Sequence, residues 1–464
     1  MKKYLKLVAV LMALVLLLPI IAACNNNDSP SGDTPSAGNG GGTTTGDGGT
    51  TQDPAPPASG GAKIKLIGMG WGATENQEQM TAQLFAAYPE LADKYEIEWV
   101  IGGPHDTDVA ERMRMALTSN EYIADFVQLN YTQVPEFAEA GAFHDISSHI
   151  NRYADKLLDG AINISKYNGT SVVFPFELKP RVWYYRSDLF EQAGVDVTAV
   201  RTADDLIAAG KKVQDIAPGT YIWNFGSSMP AYLIFLALSG NGATFTDANG
   251  DYIIASDPGT RKVLEDYKKL VDGGVIANIS DWTPDWESAL YDETIVSQLS
   301  AGWLAQSIFL PTYAGDHQAG KWAATTWPQL GGSTGGSDAG GSIFAVPTFA
   351  AHPEEAAEFL SYLTLSEAGT KAIFNVISSV PVNTDALNSP EVQAPNPFFG
   401  PSLMEAQIAG LNELKVFNYS PKAGAEIDIV MEYFIKAIYS EMSIDDALNA
   451  AQNDLKLMLG NAFN

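Results

Sequence analysis

Cysteine, histidine and basic residues are all scarce in this chain. Its 464 residues include one cysteine and five histidines, and 55 acidic residues stand against 27 basic ones, a formal net charge of −28. A single cysteine excludes an internal disulfide framework, and the histidines lack the i, i+4 spacing typical of a zinc site. Nucleic-acid binding demands a basic surface, so we predict no nucleic-acid partner.

Signatures of catalysis and of cofactor binding are also missing. Gly315 to Lys321 fits most of a phosphate-binding loop, but Trp322 stands where Mg²⁺ needs Ser or Thr. Residues 247–251 resemble a calcium loop, but Tyr252 occupies the glycine position, and a tight hairpin turn at Asn249-Gly250 explains this run better. We therefore predict no cofactor, no metal site and no enzymatic activity.

The chain begins with the pattern of an export signal. Three lysines within the first six residues precede an unbroken apolar run from Leu7 to Leu18, and Ile21-Ala22-Ala23-Cys24 follows. The run is shorter than the ~20 apolar residues that a spanning helix needs. Because Ile-Ala-Ala-Cys resembles the bacterial lipobox, we expect residues 1–23 to be a lipoprotein signal peptide and Cys24 to carry lipid. The alternative is an ordinary secreted protein with a chance cysteine.

The segment after the cysteine has the composition of a tether. From Asn25 to Gly61 it consists almost entirely of Asn, Asp, Ser, Gly, Thr, Pro and Ala. Such a segment cannot bury enough apolar surface to offset the entropy of ordering. We expect residues 24–62 to be a disordered tether that spans roughly 30–37 Å. From lipid and tether together we expect the protein at the extracellular face of the cytoplasmic membrane, on a Gram-positive surface in preference to a periplasm.

The remaining residues are too many for one hydrophobic core, so two lobes are expected. Apolar strands alternate with helical patterns, first from Lys63 and again from about Ser171, which predicts an α/β fold with a parallel sheet and covered faces. Strands are predicted at Lys63–Gly68, Glu96–Ile101, Ala124–Leu129, Val172–Phe176 and Val182–Tyr185. Helix starts are predicted at the capping boxes Thr202–Asp205 and Ser443–Asp446 and at Asp257-Pro258.

Three regions of this body, in order, resemble the family of extracellular solute-binding proteins that serve ABC importers for sugars. The similar segments are Val173–Phe176, Trp183–Phe190, Ala193–Val195, Gly340–Pro347, Pro353–Leu360, Leu365–Gly369 and Ser379–Asn383. Their order and spacing suit the family from Lys63 to Asn464. One departure is Arg186-Ser187, which stands where the family has Asn-Lys.

The resemblance implies a two-lobed, periplasmic-binding-protein-like (type II) α/β fold with a ligand cleft between the lobes. Residues 63–178 and 330–383 would form the first lobe, and residues 179–329 and 384–464 the second. The ligand would be a sugar, with an oligosaccharide favoured by the supply of aromatic residues, and the partners would be the membrane permease subunits of an ABC importer. We expect a monomer. Alternatives are a polyamine, peptide or other solute on the same fold, a surface glycosidase that uses Glu177, or a purely structural surface protein.

Sugar clefts combine exposed aromatic rings with polar groups at the rim, and this rule selects candidate contacts with the ligand. They are Trp71, Glu75, Asn76, Gln128, Asn130, Tyr131, Glu177, Lys179, Arg181, Asn224, Met229, Trp282, Trp303, Gly340 and Gly341. Trp303 lies where the resemblance implies the aromatic platform of the second lobe.

Several of these candidates keep a structural alternative. Core packing is the alternative for the tryptophans, and of Trp223, Trp282 and Trp286 we expect two to be structural. Helix capping is the alternative for residues 128–131, a solvated ion pair for residues 177–181, and a simple turn for the two glycines.

Overall fold

Two β-sheets and the helices that cover them make up the described part of the chain. The computed structural model describes residues 62–226, 231–309, 317–330, 341–396, 398–411, 414–415 and 417–463. By its internal contacts the chain divides into residues 1–60 and residues 61–464, and the described residues all belong to the second unit. The predicted signal peptide, Cys24 and almost the whole of the predicted tether lie outside the described residues.

Strands and helices alternate along most of this unit. The strands are β1 (Ile64–Trp71), β2 (Tyr95–Gly103), β3 (Phe126–Asn130), β4 (Lys166–Tyr167), β5 (Thr170–Ser171), β6 (Phe174–Pro175), β7 (Arg181–Arg186), β8 (Trp223–Asn224), β9 (Ile276–Ala277), β10 (Ser297–Ala301), β11 (Trp322–Thr326) and β12 (Ser342–Ala345). The helices are α1 (Glu75–Ala87), α2 (Pro89–Lys94), α3 (Asp106–Ser119), α4 (Val134–Glu139), α5 (Ser147–Tyr153), α6 (Asp159–Ile164), α7 (Ser187–Gln192), α8 (Ala203–Ile216), α9 (Ala231–Asn241), α10 (Pro258–Asp272), α11 (Pro284–Tyr291), α12 (Pro353–Leu365), α13 (Glu367–Ile377), α14 (Thr384–Leu387), α15 (Ser402–Leu411), α16 (Ala423–Ile438) and α17 (Ile444–Leu459). Of the helices that the structure describes, none combines the length and the apolar composition needed to cross a bilayer.

The larger sheet has five strands in the order β2-β1-β3-β12-β6. β1 runs parallel to β2 and β3, whereas β12 runs antiparallel to β3 and β6. The carboxyl ends of β1, β2 and β3 therefore meet at one edge, where β12 begins with Ser342 paired to Asn130. We call this sheet with its covering helices the first lobe.

Both faces of this sheet are covered, which explains its apolar strands. Leu66 and Phe126 pack with helices α1 and α12 on one face. Met69 and Val127 pack with helices α3 and α4 on the other face. Successive strand residues point to opposite faces, so a strand that is buried on both sides needs apolar residues at nearly every position.

A second sheet, with the strand order β10-β7-β11, organises what we call the second lobe. Val182 and Tyr184 of β7 face one core, and Trp183 faces another. The repeated alternation of strands and helices predicts parallel strands here, and for these three strands that prediction is wrong, because both pairs run antiparallel. An apolar run indicates that a strand is buried but not in which direction its neighbours run.

The bounds of all five predicted strands shift by one to three residues, and two of these shifts have a local cause. β1 reaches Trp71 rather than Gly68, because its parallel pairing with β2 continues to the end of that segment. The strand predicted at Val172–Phe176 is reduced to Phe174–Pro175 at the edge of the sheet. Pro175 has no N–H to donate to a neighbouring strand, so a longer strand is disfavoured.

Local signals for helix starts and turns are confirmed. The N–H of Asp205 donates to Thr202 Oγ1 at 3.3 Å, and the N–H of Thr202 donates to the Asp205 carboxylate at 2.9 Å, which completes the capping box of α8. Asp257 caps α10. Thr246 and Tyr252 form an antiparallel bridge around the predicted hairpin turn.

The lobes are joined by chain segments that lie side by side. Leu178, just before β7, forms an antiparallel bridge with Val380, just after α13. Nearby, the hydroxyl of Ser378 donates to Gln306 Oε1 at 3.4 Å, linking the end of α13 to the second lobe. The crossing segments are therefore held to one another and to the second lobe. The predicted lobe bounds at residues 178/179, 329/330 and 383/384 stay a prediction.

Candidate functional site

A groove of about 920 Å³ lies between the first and the second lobe. From the first lobe it is lined by residues that follow β2 and β3, including Asp106, Asn130 and Gln133. From the second lobe it is lined by Phe235 and Tyr419, by the first turns of α16 and by the end of α17. Sites for small molecules have volumes of about 300–1,000 Å³, so the groove has room for a small ligand.

The wall from the first lobe is polar. Asn130 ends β3, and its Oδ1 accepts a hydrogen bond from the N–H of Thr132 at 3.2 Å. Gln133 Nε2 donates to Asp106 Oδ2 at 3.3 Å, and Gln133 Oε1 accepts from the N–H of Asn130 at 3.0 Å. Burial raises the pKa of the Asp106 carboxyl. Asn130 thus caps the turn after β3, as the structural alternative expects, and it also lines the groove, so its contact with a ligand stays a prediction.

The wall from the second lobe is mostly apolar. The rings of Phe235 and Tyr419 stack with centroids 5.7 Å apart and an interplanar angle of 24°. Ile427 and Leu459 extend this surface along the groove. Tyr131 of the first lobe meets Tyr419 edge-on, with ring centroids 6.4 Å apart. This predicted residue therefore connects the polar wall to the apolar wall.

The two basic side chains among the described lining residues are both bound by acceptors of the protein. Arg114 donates from Nε and Nη2 to the Glu136 carboxylate at 2.5 and 2.8 Å. Lys422 Nζ donates to the backbone carbonyls of Leu459 and Asn461 at 2.8 and 2.7 Å. The Glu136 carboxylate offsets the charge of Arg114, whereas the carbonyls occupy hydrogen bonds of Lys422 without neutralising it. Because Asp106, Glu136 and Asp428 also line the groove, its described lining has no excess of positive charge, which suits a neutral polar ligand better than an anion.

Glu177 and Lys179 form a shielded ion pair where the chain crosses between the lobes. Lys179 Nζ lies 2.7 Å from Glu177 Oε1 and donates to Ser342 Oγ at 3.1 Å. Only 12% of the Lys179 side chain and 5% of the Glu177 side chain are exposed. Glu177 and Lys179 therefore form the ion pair that was the structural alternative to ligand contact. The pair is, however, largely shielded from water and not solvated. The second carboxylate oxygen, Glu177 Oε2, is buried with no hydrogen-bond partner in the described ranges.

Two further candidates lie inside the lobes rather than at the groove surface. Arg181, the first residue of β7, is 2% exposed, and its guanidinium lies 5.2 Å from the ring centroid of Trp327. Gln128 is 5% exposed and accepts a hydrogen bond from Gln77 Nε2 at 3.1 Å. Neither side chain is exposed as a ligand contact in a cleft would be. Arg181 is buried against Trp327 in the second lobe, and Gln128 is bonded to the buried amide of Gln77 in the first lobe.

Trp282, Trp286 and Trp303 form an aromatic cluster in the second lobe. The rings of Trp282 and Trp303 stack at 5.4 Å with an interplanar angle of 21°, and Trp282 lies 5.1 Å from Trp286. Trp286 is buried, Trp303 is half-buried, and Trp282 is 48% exposed. Trp223 is fully buried elsewhere in the lobe. Of the three tryptophans weighed together, only Trp282 therefore presents its ring to the surface.

Asn224 is fully buried beside the loop that carries Trp282. Its Nδ2 donates to the carbonyl of Ile279 at 2.8 Å and to Asp281 Oδ1 at 2.6 Å. Its side chain consequently contacts the protein and not the groove.

The remaining candidates near β1 lie at the surface of the first lobe. Trp71 is the half-buried last residue of β1 instead of part of a following loop. Glu75 and Asn76 are the exposed first residues of α1. Of these three, only Trp71 supplies an aromatic ring.

The predicted glycine pair is described at one position only. The carbonyl of Gly341 accepts a hydrogen bond from the N–H of Tyr131 at 2.8 Å. Gly341 thus ties the start of β12 to the turn after β3. Gly340 and Met229 lie outside the described residues.

Several residues that line the groove are not among the predicted ligand contacts. Asp106 could have been found, because it opens a helix directly after β2, at the sheet edge where ligands bind in α/β proteins. Tyr419 and Ile427 follow no comparable rule. Their place in the groove depends on how the last helices fold back onto the second lobe.

Sequence similarity to known proteins extends over most of the chain. Residues 83–399 match the family model described as bacterial extracellular solute-binding protein. The arabinooligosaccharide-binding protein of Halalkalibacterium halodurans is 23% identical over 331 residues, which cover 67% of this chain and 72% of that protein. The lactose-binding protein of Rhizobium radiobacter is 25% identical over 304 residues, which cover 63% of this chain and 69% of that protein.

Solved structures share the fold. The galacto-N-biose-/lacto-N-biose I-binding protein of an ABC transporter from Bifidobacterium longum, in complex with lacto-N-biose, matches with a TM-score of 0.72 and 21% identity over 88% of this chain and 100% of that one. A binding protein associated with an ABC transporter of B. animalis, in complex with β-1,6-galactobiose, has a TM-score of 0.71 and 20% identity over 87% and 100% of the two chains. This likeness confirms the predicted two-lobed α/β fold.

Proposed function

This chain belongs to the family of bacterial extracellular solute-binding proteins, and we propose that it binds an oligosaccharide in the groove between its lobes and delivers it to an ABC importer. The observation that carries this proposal is the contrast between the two walls of the groove. A sugar ring offers hydroxyl groups at its edge and weakly apolar C–H groups on its faces. The polar wall around Asn130 and Gln133 suits the hydroxyls, and the apolar wall around Phe235 and Tyr419 suits the C–H faces.

The relatives support a neutral sugar as the ligand. Two are named for arabinooligosaccharides and for lactose, and the solved structures hold lacto-N-biose and β-1,6-galactobiose. Such ligands carry no charge, which agrees with a described groove lining that has no excess of positive charge. We infer the class of ligand from this agreement.

Within the predicted set, Asn130, Tyr131, Trp282 and Trp303 are our proposed ligand contacts. Asn130 lines the groove, and Tyr131 reaches across it to the second lobe. Trp282 and Trp303 are not among the described residues that line the groove. We propose that their stacked rings extend the site, with the 48% exposed Trp282 as a platform for a sugar face. Trp71, Glu75, Asn76 and Gly341 remain predicted contacts of a longer ligand.

Delivery would follow from lobe closure. A ligand that contacts both walls binds the closed state more tightly than the open state, so it shifts the population toward closure by that difference in affinity. The permease subunits of the importer would then distinguish loaded from empty protein by the geometry of the lobes. We infer that the protein performs no reaction on its ligand.

We further propose that a lipid on Cys24 anchors a monomer to the extracellular face of the cytoplasmic membrane. Two acyl chains on one cysteine give stable anchoring where a single chain is marginal. Expression with a radiolabelled fatty acid should label the wild type and leave Cys24→Ser unlabelled and in the soluble fraction. Equal labelling of both proteins would contradict the anchor without affecting the sugar proposal.

Calorimetry tests the ligand class. The full chain with Cys24→Ser is titrated with arabinotriose, lactose, lacto-N-biose and maltotriose, and separately with spermidine and trialanine. We expect saturable binding of at least one glycan and none of spermidine or trialanine. Tyr419→Ala should weaken glycan binding about tenfold, since loss of the ring removes a stacking surface worth about 1–2 kcal/mol. The control Tyr122→Ala removes a ring that does not line the groove and should bind like the wild type. Spermidine binding without glycan binding would overturn the sugar proposal.

The glycosidase alternative is not favoured by the environment of Glu177. A glycosidase needs two carboxyl groups about 5–5.5 Å or 6.5–9.5 Å apart across the scissile bond, whereas Glu177 is paired with Lys179 and is 5% exposed in its side chain. When the purified protein is incubated with the glycan that it binds, the glycan should remain intact. Products that disappear with Glu177→Gln would revive the alternative.

A further inference from the structure

We propose that Asn224 is a positioning residue that holds the exposed indole of Trp282 in its orientation toward the ligand. The inference rests on the proposed sugar-binding function, but its structural part can be tested without any ligand. Asn224 itself is fully buried, so its effect on binding would be exerted through Trp282. Its two amide hydrogen bonds to the loop ahead of Trp282 carry the inference.

Trp282 is in a conformation that a tryptophan rarely adopts without support. Its φ angle is 64°, in the left-handed region that bulky residues avoid. The residue is 48% exposed although tryptophan gains by burial. Unfavourable backbone conformations persist when the surrounding structure determines them, and they cluster at ligand sites. Something must therefore hold this loop in place.

Asn224 supplies that support from the core of the second lobe. Both of its described amide bonds go to the loop, to the carbonyl of Ile279 and to the side chain of Asp281, the residue before Trp282. The backbone of Asn224 is itself fixed, because β8 pairs with β9 through Asn224 and Ala277. The two bonds of Asn224 thus hold the loop at a fixed distance from the paired strand β8.

Close approach of β8 to the loop also depends on Gly226. A Cβ at this position would lie 2.6 Å from the backbone nitrogen of Ser280 and 1.9 Å from its hydroxyl oxygen. Only glycine leaves the space that brings the end of β8 against the loop. Gly226 and Asn224 therefore both act on residues 279–281. Gly226 leaves room for the loop to approach β8, and Asn224 forms hydrogen bonds to the loop.

The orientation of Trp282 matters because stacking on a sugar needs the face of the ring. One face of Trp282 is set by Trp303 at 5.4 Å and 21°, and Trp286 limits the ring from a second direction. Rotation of the loop would break this stack and turn the exposed face away. Asn224→Ala should accordingly remove most of what Trp282 contributes to binding.

Near-ultraviolet circular dichroism and iodide quenching test the structural part without ligand. The difference between the wild type and Trp282→Phe defines the signal of Trp282 in both measurements. Asn224→Ala should lose most of the dichroic signal of Trp282, and iodide should quench its tryptophan fluorescence more strongly than that of the wild type. The control Asn241→Ala removes a comparable amide bond, from Asn241 Nδ2 to the carbonyl of Gly259 at 2.8 Å, and should keep both signals. If Asn224→Ala does not fold, Asp281→Ala removes one of the two loop bonds from the other side and should give the same loss.

Calorimetry with the best glycan of the panel tests the functional part. Trp282→Ala and Asn224→Ala should each weaken binding about tenfold, and the double variant should be no weaker than Trp282→Ala alone. Unchanged spectra in Asn224→Ala, or additive losses in the double variant, would overturn the positioning role. If no glycan binds at all, the sugar proposal fails, while the spectra still decide whether Asn224 orients Trp282.

Discussion

Replacing Lys179 by methionine should destabilise the folded protein, because it leaves the Glu177 carboxylate buried without its partner. Lys179 Nζ lies 2.7 Å from Glu177 Oε1 and 3.1 Å from Ser342 Oγ. Methionine keeps an unbranched side chain of similar length and so preserves the packing of the lysine stem. The change therefore removes the charge and, with it, the described bonds to Glu177 and Ser342, with little loss of contact.

The expected loss is about 3 kcal/mol in the free energy of unfolding. Breaking a buried ion pair by removal of one partner costs about 3–5 kcal/mol. We take the lower end because 12% of the lysine side chain is exposed, so some water can reach the carboxylate in the variant. The double variant Glu177→Gln, Lys179→Met removes both charges, and its loss should be only about 1 kcal/mol, from one imperfectly bonded amide.

Urea unfolding followed by circular dichroism measures these differences as shifts in midpoint at constant slope. Lys65→Met is the matched control, since its ion pair with Glu98 lies at the surface with 53% and 46% of the side chains exposed. Exposed pairs contribute little, so the midpoint of this control should not move. If Lys179→Met moved the midpoint no more than Lys65→Met, the pair at the crossing would be solvated and our reasoning refuted.

Two other buried carboxyl groups give further predictions. Asp125 is fully buried, and its carboxylate accepts hydrogen bonds from four donors, those of Ile67, Tyr122, Ala351 and His352. Asp125→Ala should cost about 3 kcal/mol in urea unfolding, and a loss below that of a surface aspartate variant such as Asp93→Ala would contradict this. For Glu426, burial raises the pKa above its ordinary 4.5, so its contribution to stability is greatest at low pH and falls as the pH rises through the raised pKa. Glu426→Gln should gain stability relative to the wild type between pH 5 and pH 8, and a relative loss would show that the sign is wrong.

Local chemistry accounts for the parts of the fold that the sequence predicts well. Apolar positions at helical spacing, such as Val109 and Met113 in α3 or Val263 and Tyr267 in α10, are buried as expected. Capping residues locate helix starts because they bond to backbone groups only a few positions away. These signals depend on neighbours along the chain, so they can be read without knowledge of the fold.

Features that depend on the packing of distant segments are not predicted. The antiparallel direction of β7, β10 and β11 is set by chain connections and leaves no trace in the apolar runs. Tyr419 enters the groove because the final helices return to the second lobe. Asn224 has the residue type expected of a ligand contact, yet its amide bonds to a loop more than fifty residues away.

The groove also shows why net charge does not identify the ligand of such a protein. The chain carries 55 acidic and 27 basic residues, a balance that bears on solubility and on association at long range. At the site, however, Arg114 is bound by Glu136 and Lys422 by backbone carbonyls, and Asp106 and Asp428 also line the groove. Burial also raises the pKa of Asp106 and so disfavours its charged form. Since pairing and burial act over a few ångströms, a strongly acidic protein can present a nearly neutral surface of hydrogen-bonding groups to its ligand.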